Sequence, residues 1–589
     1  MHNIISAIAP PGDRHIQRGA SGALTDDPHL VSRALDFGTC AAPATDYRAS
    51  IARLSLLQKI EWATAGLLTL TIVFLLFVRA THAGALWRDE AAIAHLACMP
   101  SVADIARNFQ HEAFPPLFPI AVRAYAKLFG TSDAAFRVFG FCVGLVLVAA
   151  FWINSRLLVG GVPLVSLSLL SLNTAFLVWG TTLRGYGFGS VMIVLTFGLI
   201  AKLLVDPTPQ HVGLCFLSCL LSVETLLHNT VLVIAIVAAA AAVILVRRDF
   251  KGAVVPMGVC LASLISMVPY IGAYSAARDW NIVVRGKVGL SSLLGQLDLA
   301  LGNPTYDIPV IWYLVPASLT TIAIWQFCKL RQSPLTQRQQ LLWFGTLALF
   351  LAPIAYYAFL RALSYGTSAW YYLALICVLT AALDLLAGGL FRTKWSRWLR
   401  VAFALAAAII APFADWSAVT ERQTNIDIVA RATVERAAPK DLIVVAPWQF
   451  GIPFYRYYHG TTPWITLPMI QEHRFHRYDL IKTKMTAAHP IEDVTQMVRD
   501  TLSSGNRVWF VGREQGPDKG QALTPLLPAP ASSCGWDSTV YMKSWWREVN
   551  SFVLAHANRV EPAAVPAAAY THVNRIEDAT LRVAEGWHE

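Results

Sequence analysis

Charged residues are scarce in this sequence of 589 residues. Asp, Glu, Lys and Arg together make up 14% of it, whereas hydrophobic residues make up 55%. Soluble domains carry about 25% charged residues, so the composition excludes an ordinary soluble protein and predicts a polytopic membrane protein. The formal net charge of +10 does not indicate a nucleic-acid partner, because the Lys and Arg residues gather in short loops between apolar runs.

Cysteine pairs are lacking as well. The nine cysteines form no C-x-x-C pair, and most of them lie inside apolar runs, where cysteine is typically a small buried hydrophobe. Residues 418–589 contain only Cys534, so this region has no internal disulfide. We find no nucleotide-phosphate loop and no solenoid repeat. The apolar run 4–9 is too short for a signal peptide.

Long apolar runs are what the sequence does contain. A helix of about 20 apolar residues can cross a bilayer, and about eleven runs are long enough. We therefore predict a helical transmembrane part over 56–417, preceded by a disordered cytoplasmic tail (1–55) and followed by a soluble region (418–589). The predicted crossings are 62–78, 136–153, 162–179, 188–205, 212–227, 231–246, 254–274, 310–327, 341–360, 371–390 and 399–416.

The basic residues orient these crossings. Short cytoplasmic loops are rich in Lys and Arg, and the loops near Arg156, Lys202, Arg247 and Arg397 fall on the same side as Lys59, before the first crossing. This side is therefore predicted to be cytoplasmic. The first loop (81–135) and the region from 418 onward are then periplasmic.

Beyond residue 416 the share of charged residues rises. An amphipathic helix is predicted at 425–437, a strand at 442–446, a second helix at 491–502 and a second strand at 507–511. Alternating helices and strands favour a small α/β domain. The predicted fold class is thus a polytopic α-helical membrane protein with a C-terminal periplasmic α/β domain.

Three carboxylates mark the first loop: Asp89, Glu90 and Glu112. Ionised groups beside a bilayer are costly unless they pair, bind a cation or face water, so a functional site is the default hypothesis. Adjacent carboxylates can hold a divalent cation or act as a general base. The alternative is a solvated loop end at the start of a helix. Short helices are predicted around them at 91–99, 102–109 and 117–129.

The order of motifs in this loop resembles the first periplasmic loop of the GT-C glycosyltransferases. The particular likeness is to family 39 and its relatives, which include protein O-mannosyltransferases, the lipid A aminoarabinose transferase and bacterial transferases that modify lipopolysaccharide. The residues that carry the resemblance are Asp89-Glu90, Glu112, Pro115-Pro116-Leu117, Phe129-Gly130-Thr131-Ser132 and Ala135-Phe136-Arg137. Two departures are Phe114, where those families usually have His, and Thr182, where many have an acid.

The resemblance implies a bacterial inner-membrane transferase that uses a sugar on a polyprenyl phosphate. The acceptor would be a periplasmic glycan, lipid or protein, and a divalent metal ion is left open as a cofactor. The implied catalytic residues are Asp89, as general base, and Glu90. Metal binding or substrate positioning would fall to Glu112, Glu90 and His228. Donor phosphate would be bound by Arg137, Arg184 and Arg361, and sugar or lipid by Trp87, Tyr186, Tyr371 and Tyr372.

Simpler interpretations stay open for these residues. Each arginine could be an interfacial anchor or the partner of a carboxylate, His228 could be a satisfied interfacial histidine, and the aromatic residues could form a membrane-interface belt. A transporter or flippase of a lipid-linked sugar is the rival function; it predicts ionisable residues deep in the spans and interrupted helices. A non-catalytic partner protein is the third alternative, suggested by Phe114 and Thr182.

Overall fold

Apolar helices make up most of the computed structural model, which describes residues 55–112, 115–280, 289–329, 335–363, 366–513, 523–529, 537–566 and 572–589. The predicted tail, apart from Ser55, lies outside these residues, and so does Phe114. Residues Leu57–Glu589 pack as one unit.

Seventeen helices precede residue 421 in the described part of the chain, besides short 3-10 turns. They are α1 (Leu56–His82), α2 (Arg88–Ala97), α3 (Val102–Asn108), α4 (Leu117–Phe129), α5 (Asp133–Val159), α6 (Leu164–Ser171), α7 (Thr174–Trp179), α8 (Gly185–Val205), α9 (Pro209–Thr225), α10 (Leu227–Val246), α11 (Phe250–Ile265), α12 (Ile271–Trp280), α13 (Leu290–Leu301), α14 (Ile308–Lys329), α15 (Gln337–Leu363), α16 (Leu373–Leu390) and α17 (Lys394–Thr420).

Nine helical segments among the described residues are long and apolar enough to cross a membrane. They are α1, α5, α8, α10, the segment Phe250–Ser275, Ile308–Gln326 within α14, α15, Ala369–Leu390 and α17. The predicted class, a polytopic helical membrane protein with a smaller C-terminal sheet, is confirmed.

Two of the eleven predicted crossings are not among these nine segments. The run 162–179 is broken into α6 and α7, because the Asn173 side chain accepts the N–H of Phe176 and starts a new helix. The Asn173 amide also donates to the carbonyls of Ala300 and Leu301. The second difference is α9, which has 17 residues. At 1.5 Å per residue it extends about 25 Å, less than the hydrocarbon core of about 30 Å.

The three short helices predicted in the first loop are confirmed as α2, α3 and α4. The first of them begins at Arg88 rather than at residue 91, so Asp89 and Glu90 lie in its first turn. Carboxylates are favoured there because the helix dipole is positive at its N-terminus. Successive helical residues point about 100° apart, so the two adjacent carboxylates face different surroundings.

The C-terminal region (421–589) contains a five-stranded sheet. Its helices are α18 (Ile426–Arg436), α19 (Gly451–Tyr457), α20 (Tyr478–Thr486), α21 (Glu492–Ser503) and α22 (Ser538–His556), and its strands are β1 (Leu442–Ala446), β2 (Trp464–Thr466), β3 (Val508–Gly512), β4 (Arg559–Pro562) and β5 (Thr580–Glu585). The strand order is β2-β1-β3-β5-β4. β1 runs parallel to β2 and β3, whereas β5 is antiparallel to β3 and β4. Both helices and both strands predicted here are confirmed.

The C-terminal region docks on the ends of the first loop. The backbone N–H of Gln423 donates to the Ala83 carbonyl at 2.8 Å. Nearer the other end of the loop, Asp133 accepts from the Tyr457 hydroxyl at 2.6 Å and pairs with Arg456 at 2.7 Å. The C-terminal region therefore covers the loop that carries the carboxylates.

Candidate functional site

Glu90 points into the protein and pairs with Arg137. Its Oε1 accepts from Arg137 Nη1 at 2.7 Å and from the backbone N–H of Leu183 at 2.9 Å. Arg137 also donates to the carbonyls of Gly84 and Ala85. Because the pair is buried and each partner is bound by the chain around it, this geometry favours a positioning role over the predicted phosphate contact of Arg137.

Asp89 points away from Glu90, among three cationic or potentially cationic groups. Its oxygens lie 4.0 Å from Arg184 Nη2, 3.5 Å from His476 Nε2 and 3.5 Å from Arg88 Nε. Burial raises the pKa of Asp89, but the charges of Arg184, His476 and Arg88 together lower it by more, so it lies below its ordinary value. Asp89 is therefore ionised at neutral pH.

The side chain of Glu112 is fully buried between the first loop and the C-terminal region. Its Oε2 lies 3.3 Å from Arg184 Nη1, and its Oε1 lies 2.6 Å from His476 Nδ1. The backbone N–H of His476 also donates to Oε1. The His476 ring thus stands between Glu112 on one nitrogen and Asp89 on the other.

A fourth carboxylate, Glu577, approaches from the C-terminal region behind Arg88. The residue is 1% exposed, and its Oε1 lies 3.2 Å from Arg88 Nε. Neither oxygen has a hydrogen bond within the described residues. Burial raises the pKa of Glu577 to about 7, with Arg88 opposing the change and Asp89 adding to it. The charge of this group therefore changes near neutral pH.

A cavity of about 370 Å³ opens beside Asp89, between the membrane helices and the C-terminal region. The transmembrane part contributes Arg88, Asp89, Trp370 and Tyr371 to its wall. His476 is among the residues that face it from the C-terminal region. Of the predicted catalytic pair, Asp89 alone lines this cavity, so it is the carboxylate that a substrate there would meet.

The predicted aromatic contacts divide between the wall and the core. Tyr371 lines the cavity, and Tyr186 packs edge-on against it at 5.8 Å between ring centroids. Trp87 is buried against Trp179 and Trp370, at 5.6 and 5.9 Å. Tyr372 is buried and its hydroxyl donates to the Leu293 carbonyl. Trp87 and Tyr372 thus pack the protein around the cavity in this structure.

His228 and Arg361 lie apart from the carboxylates. His228 is buried, its ring stacks on Tyr371 and Tyr356, and neither ring nitrogen has a hydrogen bond in the described part of the chain. Arg361 is exposed in the last turn of α15 and does not line the cavity. Their predicted roles stay predictions that this geometry does not favour.

A divalent cation does not fit these carboxylates as they are arranged. The guanidinium of Arg184 stands within 4.0 Å of both Asp89 and Glu112, and Glu90 is turned away to Arg137. Within the described residues no group of three or more His, Cys, Asp or Glu side chains could hold a metal ion.

No protein-family model and no curated protein matches the sequence. In structure the chain is similar to GT-C fold glycosyltransferases. Among them is ArnT from Cupriavidus metallidurans bound to undecaprenyl phosphate, at 13% identity and a TM-score of 0.46, with 80% of this chain and 96% of that chain covered. The archaeal oligosaccharyltransferase AglB from Archaeoglobus fulgidus, in complex with an inhibitory peptide and a dolichol-phosphate, matches at 12% identity and a TM-score of 0.44, covering 77% and 70%. The arabinosyltransferase EmbB from Mycobacterium smegmatis matches at 13% identity and a TM-score of 0.36, covering 85% and 47%.

Three residues of the site were missed by the sequence analysis: Arg88, His476 and Glu577. Arg88 directly precedes the carboxylate pair, and a search for cations beside Asp89 could have found it. His476 and Glu577 lie far along the chain and reach the loop only through docking of the C-terminal region. No local pattern in the sequence distinguishes them from other polar residues.

Proposed function

We propose that this chain is a membrane glycosyltransferase that moves a sugar from a polyprenyl-phosphate carrier to a hydroxyl of a periplasmic acceptor, a lipid-linked glycan or lipopolysaccharide. The observation that carries the proposal is the placement of Asp89: an ionised carboxylate on the wall of a sugar-sized cavity, with cations beside it. The motif order of the first loop, with its resemblance to GT-C transferases, adds to it.

Asp89 is suited to receive the proton of the acceptor. In the proposed reaction the acceptor oxygen forms a bond to the anomeric carbon, and the bond from that carbon to the phosphate oxygen breaks. The acceptor proton passes to Asp89, and the polyprenyl phosphate leaves with the bonding electrons. A lowered pKa keeps Asp89 unprotonated before the reaction.

Arg88 and Arg184 are the cations best placed to stabilise the leaving phosphate. Both lie beside Asp89, and Arg88 lines the cavity. Negative charge grows on the phosphate as the bond breaks, and fixed guanidinium groups stabilise it without reorganisation. Arg137 keeps the loop in place through Glu90 and takes no part in this step.

A transporter of a lipid-linked sugar is the second candidate, because the structure contains an interrupted helix with buried acids. Asp384 accepts from the N–H groups of Val165 and Ser166 at the start of α6. Asp415 accepts from the Thr174 hydroxyl at the start of α7. Asp384 thus stabilises the start of α6 and Asp415 holds the first side chain of α7, which accounts for both acids without a transport path.

Mass spectrometry of envelope glycans separates the two functions. We would compare cells that contain the wild-type protein, Asp89→Asn, the matched variant Asp104→Asn at a half-exposed carboxylate of the same loop, and no protein. A transferase predicts loss of one sugar residue in the null strain and in Asp89→Asn, with normal glycans in Asp104→Asn, at equal membrane levels of each protein. Normal glycans in the Asp89→Asn strain contradict the assigned base. Normal glycans in the null strain contradict the transferase, and accumulation of a carrier-linked sugar on the cytoplasmic side there favours transport.

A further inference from the structure

The C-terminal side of the cavity is built from the ends of three parallel strands. Gln449 lies in the turn after β1, Leu467 directly follows β2, and Arg513 directly follows β3, and all three residues line the cavity. In open α/β sheets, ligands bind outside the carboxyl ends of the parallel strands. The side of the cavity formed by the C-terminal region therefore lies where α/β sheets commonly bind ligands.

Polar groups on this wall lack partners. Gln449 is 7% exposed, and its Oε1 accepts no hydrogen bond within the described residues. The side chains of Arg513 and Lys543 are exposed and lie on the cavity wall, and among the described residues neither forms an ion pair. A buried amide oxygen without a partner destabilises the protein, and a bound donor would relieve this. These groups are thus available to a ligand.

The charge of this wall is positive and comes from side chains. The N-terminus of α22 also faces the cavity, but the Asp537 carboxylate already accepts its Thr539 N–H. Arg88 is paired with Asp89 and Glu577. Arg513 and Lys543 are therefore the cations on the C-terminal side of the cavity that have no ion pair among the described residues, with Glu577 and Asp578 as acids near Arg513.

Aromatic rings stand beside these cations. Trp546 is buried against Phe510 and lines the cavity together with Tyr478 and Trp370. Aromatic faces pack against the apolar faces of sugar rings, while amides and cations bind hydroxyl and acidic groups. The combination of rings, one amide and two cations is suited to an acidic sugar.

We propose that the strand-end wall, defined by Gln449, Arg513, Lys543 and Trp546, binds a phosphorylated or carboxylated sugar residue of the acceptor. The acidic group contacts Arg513 and Lys543, and a hydroxyl donates to Gln449. The acceptor rather than the lipid donor is the source, because all four residues belong to the C-terminal region and none lies in a membrane-spanning helix. The acceptor assignment rests on the proposed function; the binding of an acidic sugar does not.

Calorimetric titration of the full chain in lipid nanodiscs tests the site with three probes: glucose, glucose 6-phosphate and glucuronic acid. We expect at least one acidic probe to bind tenfold or more tightly than glucose, with a preference that shrinks as salt is added. The double variant Arg513→Gln/Lys543→Gln should lose that preference. Arg431→Gln/Lys440→Gln, which removes two exposed cations elsewhere in the same region, should keep it. Equal binding of all three probes, or equal behaviour of the two double variants, would overturn the proposal.

Farnesyl phosphate serves as the probe for the donor's lipid phosphate. If it binds more tightly than the acidic sugars and Arg513→Gln/Lys543→Gln abolishes its binding, the site belongs to the donor and the acceptor assignment is overturned. The binding titrations and the glycan measurements distinguish a wrong subsite from a wrong function. Acidic sugar binding with unchanged glycans in the null strain overturns the transferase alone, whereas altered glycans in the null strain without acidic sugar binding overturn the subsite alone.

Discussion

His476 Nδ1 lies 2.6 Å from the carboxylate of Glu112, a residue 364 positions earlier in the chain. The same ring directs Nε2 toward Asp89 at 3.5 Å. One imidazole of the C-terminal region therefore holds two carboxylates of the first loop in a fixed relation, and the site is complete only when the two regions are docked.

Replacement of His476 by Ala should lower sugar transfer by about 10- to 100-fold without loss of the protein from the membrane. A hydrogen bond to a charged group contributes about 1.5–3 kcal/mol, and its loss would let Glu112 turn toward Arg184 and away from its present position. The measurement is the amount of modified glycan at matched protein levels.

His476→Asn should recover part of this loss, because an Asn amide can donate where Nδ1 does. The exposed His459→Ala is the matched control and should transfer sugar as the wild type does. Wild-type transfer in His476→Ala would show that the ring only fills space between the two regions.

Removal of Arg137 should destabilise the protein more than it affects binding of a donor. Arg137→Met leaves the carboxylate of Glu90 buried without its cation, and breaking a buried ion pair from one side costs about 3–5 kcal/mol. Thermal unfolding in detergent measures this. Arg107→Met, which breaks the exposed pair with Asp104, should leave the unfolding temperature unchanged. Equal unfolding temperatures for the two variants would contradict the positioning role.

The sequence indicated where the site lies but not how its acids divide their roles. Asp89 and Glu90 are adjacent and both are carboxylates, so composition and spacing do not show which of them faces the substrate. Only the start of α2 at Arg88 decides that one faces the cavity and the other faces Arg137. Helix starts depend on hydrogen bonds of the first turn, which local patterns specify poorly.

The residues of the C-terminal region that contact the first loop could not be predicted from the sequence for a different reason. β1 and β3 could be predicted because buried parallel strands read as continuous apolar runs. His476 and Glu577 belong to no such pattern, and their position follows from tertiary docking. The break at Asn173 was hidden because a single polar residue hardly changes the apolar character of the run around it.

The stability of the protein should depend on pH through Glu577. Its pKa is about 7 in the folded protein against an ordinary 4.5, so the folded state keeps a proton that the unfolded state loses between these values. The stability contributed by this proton is fully present below pH 4.5 and is lost as the pH rises through 7. Glu577→Gln cannot titrate. The unfolding temperature of this variant minus that of the wild type should therefore increase between pH 5 and pH 8.

Thermal unfolding at pH 5, 6.5 and 8 checks this expectation. Glu435→Gln, at an exposed position of α18, is the control and should follow the wild type at every pH. A constant difference between Glu577→Gln and the wild type would mean that the buried carboxyl does not titrate in this range.

Chelation of divalent ions should leave sugar transfer largely intact, because Arg184 occupies the space between Asp89 and Glu112. The assay is transfer in isolated membranes with and without EDTA, with Mg²⁺ or Mn²⁺ added back. If EDTA abolishes transfer and one of these ions restores it, Arg184 must move aside when substrate binds. Arg184→Gln should then increase the affinity for that ion.

Gly84 should tolerate no side chain, because it combines a left-handed backbone with close contact to the C-terminal region. Its φ is +69°, and an added Cβ would lie 2.7 Å from the guanidinium carbon of Arg422, which pairs with Asp427. Gly160 has nearly the same φ, +66°, with no atom within 4 Å of an added Cβ. Gly160→Ala therefore measures the backbone cost alone, about 1–2 kcal/mol.

Gly84→Ala should cost more than Gly160→Ala by about 1–3 kcal/mol, since Arg422 can give way only by leaving Asp427 and the Thr424 carbonyl. Thermal unfolding of the two variants provides the comparison. The excess should be accompanied by weaker transfer, because Gly84 also accepts from Arg137 and lies five residues before Asp89. Equal destabilisation by the two variants would mean that the first loop can move slightly away from the C-terminal region at Gly84 without cost. The positions of Glu112 and Asp89 relative to His476 would then not depend on the contact between Gly84 and Arg422.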